Sequence, residues 1–529
     1  MTDSLIIAFI AENKDNFIFN ISVEKKEEIS SHCIDIVLNQ YSELDENFIF
    51  TLECTKMLAR DVSFEQYLCK EELWLKLFEL SGISDYAQQT CTSISLLNHS
   101  ADIVENTLKV LCNMTKNFSN TIPTDLRNSA LAGILNRVLL YDKTVPEITA
   151  NIKIFEMKLL FLLTAFYSEL RSLAVRKYDC IHRLSTIFKS QLESVTTLPE
   201  EDLILDSEIL KCLFNVLYQQ MDEELEKKVD KEMNGLLVWL RDLLVATYGN
   251  KSYSETARIE LLSNIGNLLT SVSDSCFQCL IFESDNQSQS DIYKDPRAMR
   301  FYQLILTLIE RRLKENSHLL ETLSPLMQAM GKACLANRNI RKFYRLKILP
   351  YMKTEVLELP EQGNSTRNKL CKLLQHHCEQ VTESVAYFLF VLCKEDVERA
   401  IKYTGFGNFA GFLARHALLA GRKGSDNVYS DSEDSDTEEY LDVRDKVNPV
   451  TGRVEENRAD PLEGMSEEQK EYEVVCLMNQ IDKLHRQGII KPGIIGDDGN
   501  VRPAESVLEV MERTAQQKNY QGNESEESD

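Results

Sequence analysis

The chain has 529 residues, enough for several domains or one extended repeat array, and carries 59 basic against 83 acidic residues for a net charge of −24. That balance disfavours a nucleic-acid binder, because neutralising phosphates needs a basic face, although it leaves room for a local basic groove. With 11 Pro and 19 Gly the chain is poor in the turns of a β-sandwich or an α/β enzyme, and long Leu-rich stretches favour helices.

Its 14 cysteines stand singly in apolar runs such as "VLCNM", "KCLFN" and "VLCKE", which reads as buried reduced thiols in a cytosolic protein. The N-terminus "MTDSLIIAFIAENKDNF" has no basic n-region and only a short apolar run. No window approaches the roughly 20 apolar residues of a membrane span. The expectation is a soluble, cytoplasmic monomer that is not secreted and has no direct membrane span.

From about residue 5 to 420 apolar residues recur at three- and four-residue spacing, as in "DLLVATYG", "LILTLIERRL" and "AYFLFVLCKEDVERAI". Polar breaks such as "TTLPEED" and "SDNQSQSDIYKDP" separate these runs, and no alternating strand pattern matches them in strength. The predicted class is all-α. A phrase, apolar-x-x-apolar-x-Asn, recurs as "LKVLCN" ending at Asn113, "LKCLFN" at Asn215 and "LSNIGN" at Asn267, with "LFLLT" ending at Thr164 in the matching slot. The steps are 51, 51 and 52 residues. Stepping back 53 reaches Arg60 in "TKMLAR". After a 70-residue step that holds the polar insertion the phrase returns as "KACLAN" at Asn337, and a further 56 residues lead to Cys393.

A helical period near 50 predicts a solenoid of the armadillo/HEAT kind, a superhelix in which one helix per unit lines the concave face. An Asn at the same place on each lining helix can bond the backbone of a bound segment, since an amide offers both donor and acceptor. The same amide can instead satisfy backbone groups within the stack. Lys56 and Arg60, one turn apart, add charge at one end. "RNIRKFYRLK" adds Arg338, Arg341, Lys342, Arg345 and Lys347 at the other, with Phe343 and Tyr344 among them. Such a run is ordinarily a solvated basic face. As groove ends these residues suit a partner that is acidic or ends in a carboxylate.

Catalytic motifs are missing: there is no GxxxxGK[ST], HExxH or GxSxG. "GFGNFAG", Gly405 to Gly411, has the wrong spacing for a dinucleotide loop and follows a helical stretch where a strand is needed. "CFQC", Cys276 to Cys279, has neither a second pair nor a nearby His, and reads as packing. Cys371, His376, His377 and Cys378 cluster in "CKLLQHHC", yet adjacent histidines on a helix diverge by about 100°. Neither a metal nor a cofactor is expected.

Beyond Gly424 apolar residues nearly vanish. Residues 425–460 hold 12 acids against 4 bases, which argues for a mobile linker. Within it Ser430 has Glu433 and Ser435 has Glu438 three positions on, the pattern of acid-directed kinases of the casein kinase II type; Ser432 and Thr437 lack it. Structure returns in "MSEEQKEYEVVCLMNQIDKLHRQG". Ser466 and Gln469 form a capping box there, acids fill the first turn, and Lys483, His485 and Arg486 fill the last. Val474, Met478, Ile481 and Leu484 make one apolar stripe. A second short helix is expected in "AESVLEVMERTAQQ". The predicted domains are a solenoid over 1–424, a phosphorylatable linker over 425–465, amphipathic helices over 466–515 and an acidic tail over 516–529.

"AIKYTGFGNFAGFLA", the acidic serine run ending "EEY", "NPVTGRVEE" and "PLEGMSEEQKEYE" resemble the synembryn family. "LKVLCN", "LLFLLTAF" and "LKCLFN" fall in the same order, so the likeness covers essentially the whole chain. It implies a cytosolic, non-receptor guanine-nucleotide exchange factor and folding chaperone for heterotrimeric G-protein α subunits, whether GDP-bound, nucleotide-free or nascent. In such proteins the superhelix takes the α subunit's C-terminal helix into its groove; GDP leaves, and the empty state is held until GTP arrives. No bond chemistry is involved. Recruitment to the cell cortex or plasma membrane would then run through the partner. The groove contacts carry over onto Lys56, Arg60 and Asn113, and after them Asn215, Asn267, Arg338, Arg341 and Arg345. The helix bearing Val474, Met478 and Ile481 becomes a clamp on the nucleotide domain, and Ser430 and Ser435 become regulatory phosphosites. Two rivals are a peptide-binding scaffold without exchange activity and a metal-dependent enzyme around Cys371 to Cys378.

Overall fold

A computed structural model describes residues 3–39, 46–84, 99–141, 148–193, 199–248, 253–283, 289–349, 356–419, 446–454, 464–491, 493–495, 501–504 and 509–510. The chain divides into two units, one made of Met1–Asp285 with Pro296–Leu308 and one of Asn286–Asp295 with Ile309–Asp529.

The first unit holds α1 (Asp3–Asn13), α2 (Val23–Asn39), α3 (Glu46–Leu58), α4 (Glu65–Leu68), α5 (Glu71–Leu80), α6 (Ala101–Asn117) and α7 (Thr124–Arg137). It continues with α8 (Ala150–Phe166), α9 (Ser168–Tyr178), α10 (Cys180–Glu193), α11 (Glu200–Leu217), α12 (Glu223–Tyr248) and α13 (Glu255–Leu269). Local chemistry sets several of the ends. The Thr149 hydroxyl accepts from the Ile152 amide at the start of α8, and Ser254 accepts from Ala257 at the start of α13. Glu200, Glu201 and Asp202 crowd the positive end of α11.

The repeat is visible in which helices touch. α3, α6, α8, α11 and α13 each pack on the next, and they begin at residues 46, 101, 150, 200 and 255. A helix with neighbours on two sides buries more than one stripe. On α6, Ile103, Val104, Thr107, Leu108, Val110, Leu111, Met114 and Thr115 are all buried. Each fully buried Leu, Ile or Val contributes roughly 1.5–3 kcal/mol relative to exposure. On the other side of the unit, α10 packs on α12 and α12 on a 3₁₀ segment, Asp274–Leu280. This is an all-α helical-repeat fold.

Polar side chains stitch one repeat to the next. The Asn117 amide donates to the Ala59 carbonyl at 2.7 Å, and the Cys212 thiol to the Met157 carbonyl at 3.2 Å. The Arg183 guanidinium reaches the Leu135 carbonyl at 2.9 Å. Deeper in, Arg137 and Glu156 form a fully buried ion pair; Arg137 also donates to the Ser81 carbonyl, and the Tyr141 hydroxyl donates to Glu156. Burial pushes the Tyr141 hydroxyl's pKa upward, so it remains a donor.

α14 (Arg300–Glu315) begins in the first unit and ends in the second. The second unit adds α15 (Leu319–Thr322), α16 (Ser324–Ala336), α17 (Arg338–Ile348), α18 (Thr366–Leu373), α19 (Glu379–Leu392), α20 (Val397–Thr404), α21 (Phe406–Arg415) and α22 (Glu467–Arg486). Its core is α16 on α19, which approach so closely that a Cβ on Gly331 would lie 2.8 Å from the Tyr387 ring. Asn337 caps α17, Ser365 and Asn368 form a capping box on α18, and Asp396 caps α20.

Two short antiparallel hairpins depart from the purely helical expectation: β1 (Val447–Asn448) with β2 (Arg453–Val454), and β3 (Gly493–Ile495) with β4 (Val501–Pro503). The first lies inside the stretch expected to be a mobile linker, yet it is docked. The Phe406 and Gly407 amides at the start of α21 donate to the Pro449 and Val450 carbonyls at 2.9 and 3.0 Å, and Val454 donates to the Val356 carbonyl. These are N–H groups that a helix cannot satisfy itself. The glycines of "GFGNFAG" permit the approach: Gly405 has φ +75°, and a Cβ there would sit 3.1 Å from the Thr451 backbone. Of the second expected C-terminal helix, only residues 509–510 are described, and they are helical.

Candidate partner-binding face

Lys56 and Arg60 sit on and just beyond α3, and both are held. Lys56 pairs with Glu53 at 3.6 Å, and its partial burial lowers its pKa against the opposing pull of Glu53. Arg60 donates to the Lys14 carbonyl at 3.3 Å and lies 5.5 Å from the centre of the exposed Phe17 ring. Asn113 joins them, because its amide donates to the Lys56 carbonyl at 2.9 Å.

That bond corrects the expected asparagine ladder. The amide nitrogen of Asn113 serves the neighbouring helix rather than standing ready for a ligand backbone. Asn215 repeats the arrangement while buried, donating to the Phe161 carbonyl at 3.0 Å and to Thr164 Oγ1 at 3.2 Å. Asn267 is half-buried on α13. Asn337 faces its own chain as the α17 cap, accepting from Asn339 and Ile340. The reason is physical: helices packed side by side bring the Asn113 and Asn215 amides within reach of the previous helix's backbone.

The basic run of α17 divides as well. Arg338 is exposed and Arg345 half-buried, but Arg341 is buried and donates to the Cys334 carbonyl at 2.9 Å, which removes it from any surface contact. Lys342 stands 5.1 Å from the Tyr293 ring. Arg367 is buried on α18. The phosphosites Ser430 and Ser435 lie outside the described residues.

The face also carries a row that the Asn phrase conceals. Lys109 on α6, Lys158 on α8 and Lys211 on α11 continue from Lys56 on successive helices of the layer. Lys56 and Lys109 are close enough to repel. Lys109 pairs with Glu105 at 2.6 Å, and both Lys109 and Lys158 lie over the Phe155 ring, 5.2 and 4.8 Å from its centre. Lys211 pairs with Glu208 at 3.0 Å and crosses to Glu260 of α13 at 3.5 Å. A signal for this existed: in "TKMLAR", "LKVLCN" and "LKCLFN" the Lys stands four residues before the Arg or Asn.

α22 is capped as expected, by Ser466 and Gln469, yet buries no residue. Val474, Val475 and Leu477 are 45, 54 and 58 % exposed, and Met478 and Ile481 are half-buried. Among the described residues the apolar side of this 20-residue helix is left uncovered. Elsewhere the cysteine clusters turn inward: the Cys279 thiol donates to the Cys276 carbonyl, Cys371 is buried, and His376 Nδ1 accepts from the Cys378 amide. Among the described residues no helix is long and apolar enough to cross a membrane.

A family model described as guanine nucleotide exchange factor synembryn matches residues 51–500. The chain belongs to the synembryn family. It is 34 % identical to the chaperone Ric-8A of Gallus gallus over 477 residues, covering 87 % of this chain and 85 % of that one. It is 33 % identical to the chaperone Ric-8A of Xenopus laevis over 516 residues, covering 94 % and 92 %. Both α3–α13 and α22 fall largely or wholly inside the residues matched by the synembryn family. A solved structure of an engineered protein aligns with 79 % of this chain and 94 % of its own at 13 % identity and a TM-score of 0.36, too remote to add to the argument.

Proposed function

We propose that this synembryn is a guanine-nucleotide exchange factor and folding chaperone for heterotrimeric G-protein α subunits. The family match across residues 51–500 carries the reading. The layer α3–α6–α8–α11–α13 is the armadillo/HEAT-type groove, and its Lys56 and Arg60 end, held in place by Asn113, receives the α subunit's C-terminal helix. Asn267 extends the contact along this layer, while the buried Asn215 holds the stack together; Arg338 and Arg345 are candidate contacts offered by the second unit. α22 then lies on the nucleotide-binding domain through Val474, Met478 and Ile481.

Exchange follows from differential binding. The protein binds the nucleotide-free α subunit more tightly than the GDP-bound one, and linkage requires that it weaken GDP by the same factor. No side chain has to act as acid, base or nucleophile. Holding the empty state also protects a nascent α subunit, which joins the chaperone role to the exchange role. Support comes from α22, whose uncovered apolar side would gain most of its stability only on a partner. The protein works in the cytoplasm as a monomer, meets membranes only through its partner, and is a substrate of a casein-kinase-II-type kinase.

The test is GDP release from purified α subunits, with and without the full chain and with a form ending at residue 460. Acceleration by the full chain and its loss without α22 is the expected result. Peptide binding with unchanged GDP release would leave a scaffold instead.

A further inference from the structure

Three lysines of the row come with their own carboxylate. Glu53 precedes Lys56 and Glu208 precedes Lys211 by three residues, and Glu105 precedes Lys109 by four. In α8 the pattern breaks. The residue three before Lys158 is Phe155, and the acid of that turn, Glu156, is buried on Arg137 and Tyr141. Among the described residues Lys158 has a ring beneath its ammonium and no carboxylate.

The ring has a consequence for position. Like charges repel, but each ammonium is attracted to the quadrupole of the same aromatic ring. Phe155 therefore holds both Lys109 and Lys158 near its ring, with Lys109 neutralised by Glu105 and Lys158 not. Both Phe155 and Lys158 are half-buried, so the site reaches solvent.

Resting on the reading that the α subunit's C-terminal helix lies on this layer, we propose that Phe155 and Lys158 are a specificity subsite for one acidic side chain of that helix. The carboxylate takes the ammonium of Lys158, and an apolar neighbour one turn away lies on Phe155. The row's other charges define the occupant further. A polyanion such as a nucleic acid or a multiply phosphorylated segment would meet Glu53, Glu105, Glu208 and Glu260 beside the lysines. A helix with a single carboxylate at the right turn meets only Lys158. Charge complementarity of this kind selects partners by penalising wrong ones as well as by attracting the right one.

The experiment uses full-length protein and a synthetic peptide of an α subunit's C-terminal helix, with each Asp or Glu changed singly to its amide. Affinities are measured for wild type, Lys158→Ala, Lys158→Glu and Phe155→Leu, with thermal melts as a control for folding. One acid-to-amide change should weaken wild-type binding about tenfold, the size of one charge-assisted hydrogen bond, and should leave Lys158→Ala unaffected. Lys158→Glu should bind that amide peptide better than the acidic one, and Phe155→Leu should lose part of the discrimination. Equal losses for every peptide in wild type and Lys158→Ala would overturn the subsite while leaving the partner intact. A wild-type protein that binds no such peptide removes the partner reading and the subsite together.

Discussion

The Asn113 amide donates to the backbone carbonyl of Lys56 across 57 residues of chain, locking α6 to α3 directly under the proposed groove cation. Stability and binding therefore separate by residue. Asn113→Ala leaves a part-buried carbonyl unpaired and should cost about 1–2 kcal/mol in urea unfolding. Lys56→Glu with Arg60→Glu should do the reverse, weakening α-subunit binding while moving the melting temperature little. An Asn113→Ala protein as stable as wild type would mean that the bond does not hold the repeats together.

Glu156 offers a sharper stability test. It neutralises Arg137 with both side chains fully buried, and Glu156→Gln removes the countercharge while keeping the shape. Breaking such a pair from one side leaves an uncompensated buried charge, costing about 3–5 kcal/mol. Calorimetry of Glu156→Gln should show a clear drop, whereas Arg137→Met with Glu156→Leu should recover much of it.

Asp206 links the first unit to pH. It is buried on α11, and burial above all, opposed by the Gln191 side chain and reinforced by Asp202, pushes its pKa well up. The unfolded group ionises near pH ~3.9. Below that value both states carry the proton and nothing is lost. As pH rises from there toward the raised folded value, the unfolded state ionises first and stability falls. Asp206→Asn should flatten that dependence and be more stable than wild type at neutral pH. Parallel pH profiles in urea for the two proteins would show Asp206 to be irrelevant.

The β1–β2 hairpin changes where the chain can be cut. A protein ending at Gly424 loses the Pro449 and Val450 carbonyls that receive the first amides of α21. It should melt several degrees below one ending at residue 460, and Gly405→Ala should make 446–454 more sensitive to protease. If both truncations melt alike, the hairpin is not part of the folded unit.

Phosphorylation of Ser430 and Ser435 adds roughly −1.5 to −2 charge each and strong acceptor oxygens. With Arg341 and Arg367 buried, the accessible phosphate partners on that unit reduce to residues such as Lys342 and Arg345. After kinase treatment, wild type should exchange nucleotide faster than Ser430→Ala/Ser435→Ala, with slower proteolysis between 420 and 445. Equal rates and equal proteolysis would leave the hydroxyls without a regulatory role.

Helical class, a period near fifty and the ends of α22 were legible in the sequence. Apolar spacing is a property of one helix, so the buried positions of α6 and α11 could be read directly, as could the Ser466 cap of α22. A period near fifty also told which helices would be neighbours. What each polar side chain on them faces was decided only by packing. Asn113 and Arg341 look alike as surface groups in the sequence, yet the register between helices sends one to a neighbouring backbone and buries the other. The same holds for Gly405 and Pro449, whose meeting depends on a chain return that local pattern does not encode, and for Lys109 and Lys158. Those lysines stand 49 residues apart, and only the approach of α6 to α8 brings both onto one ring.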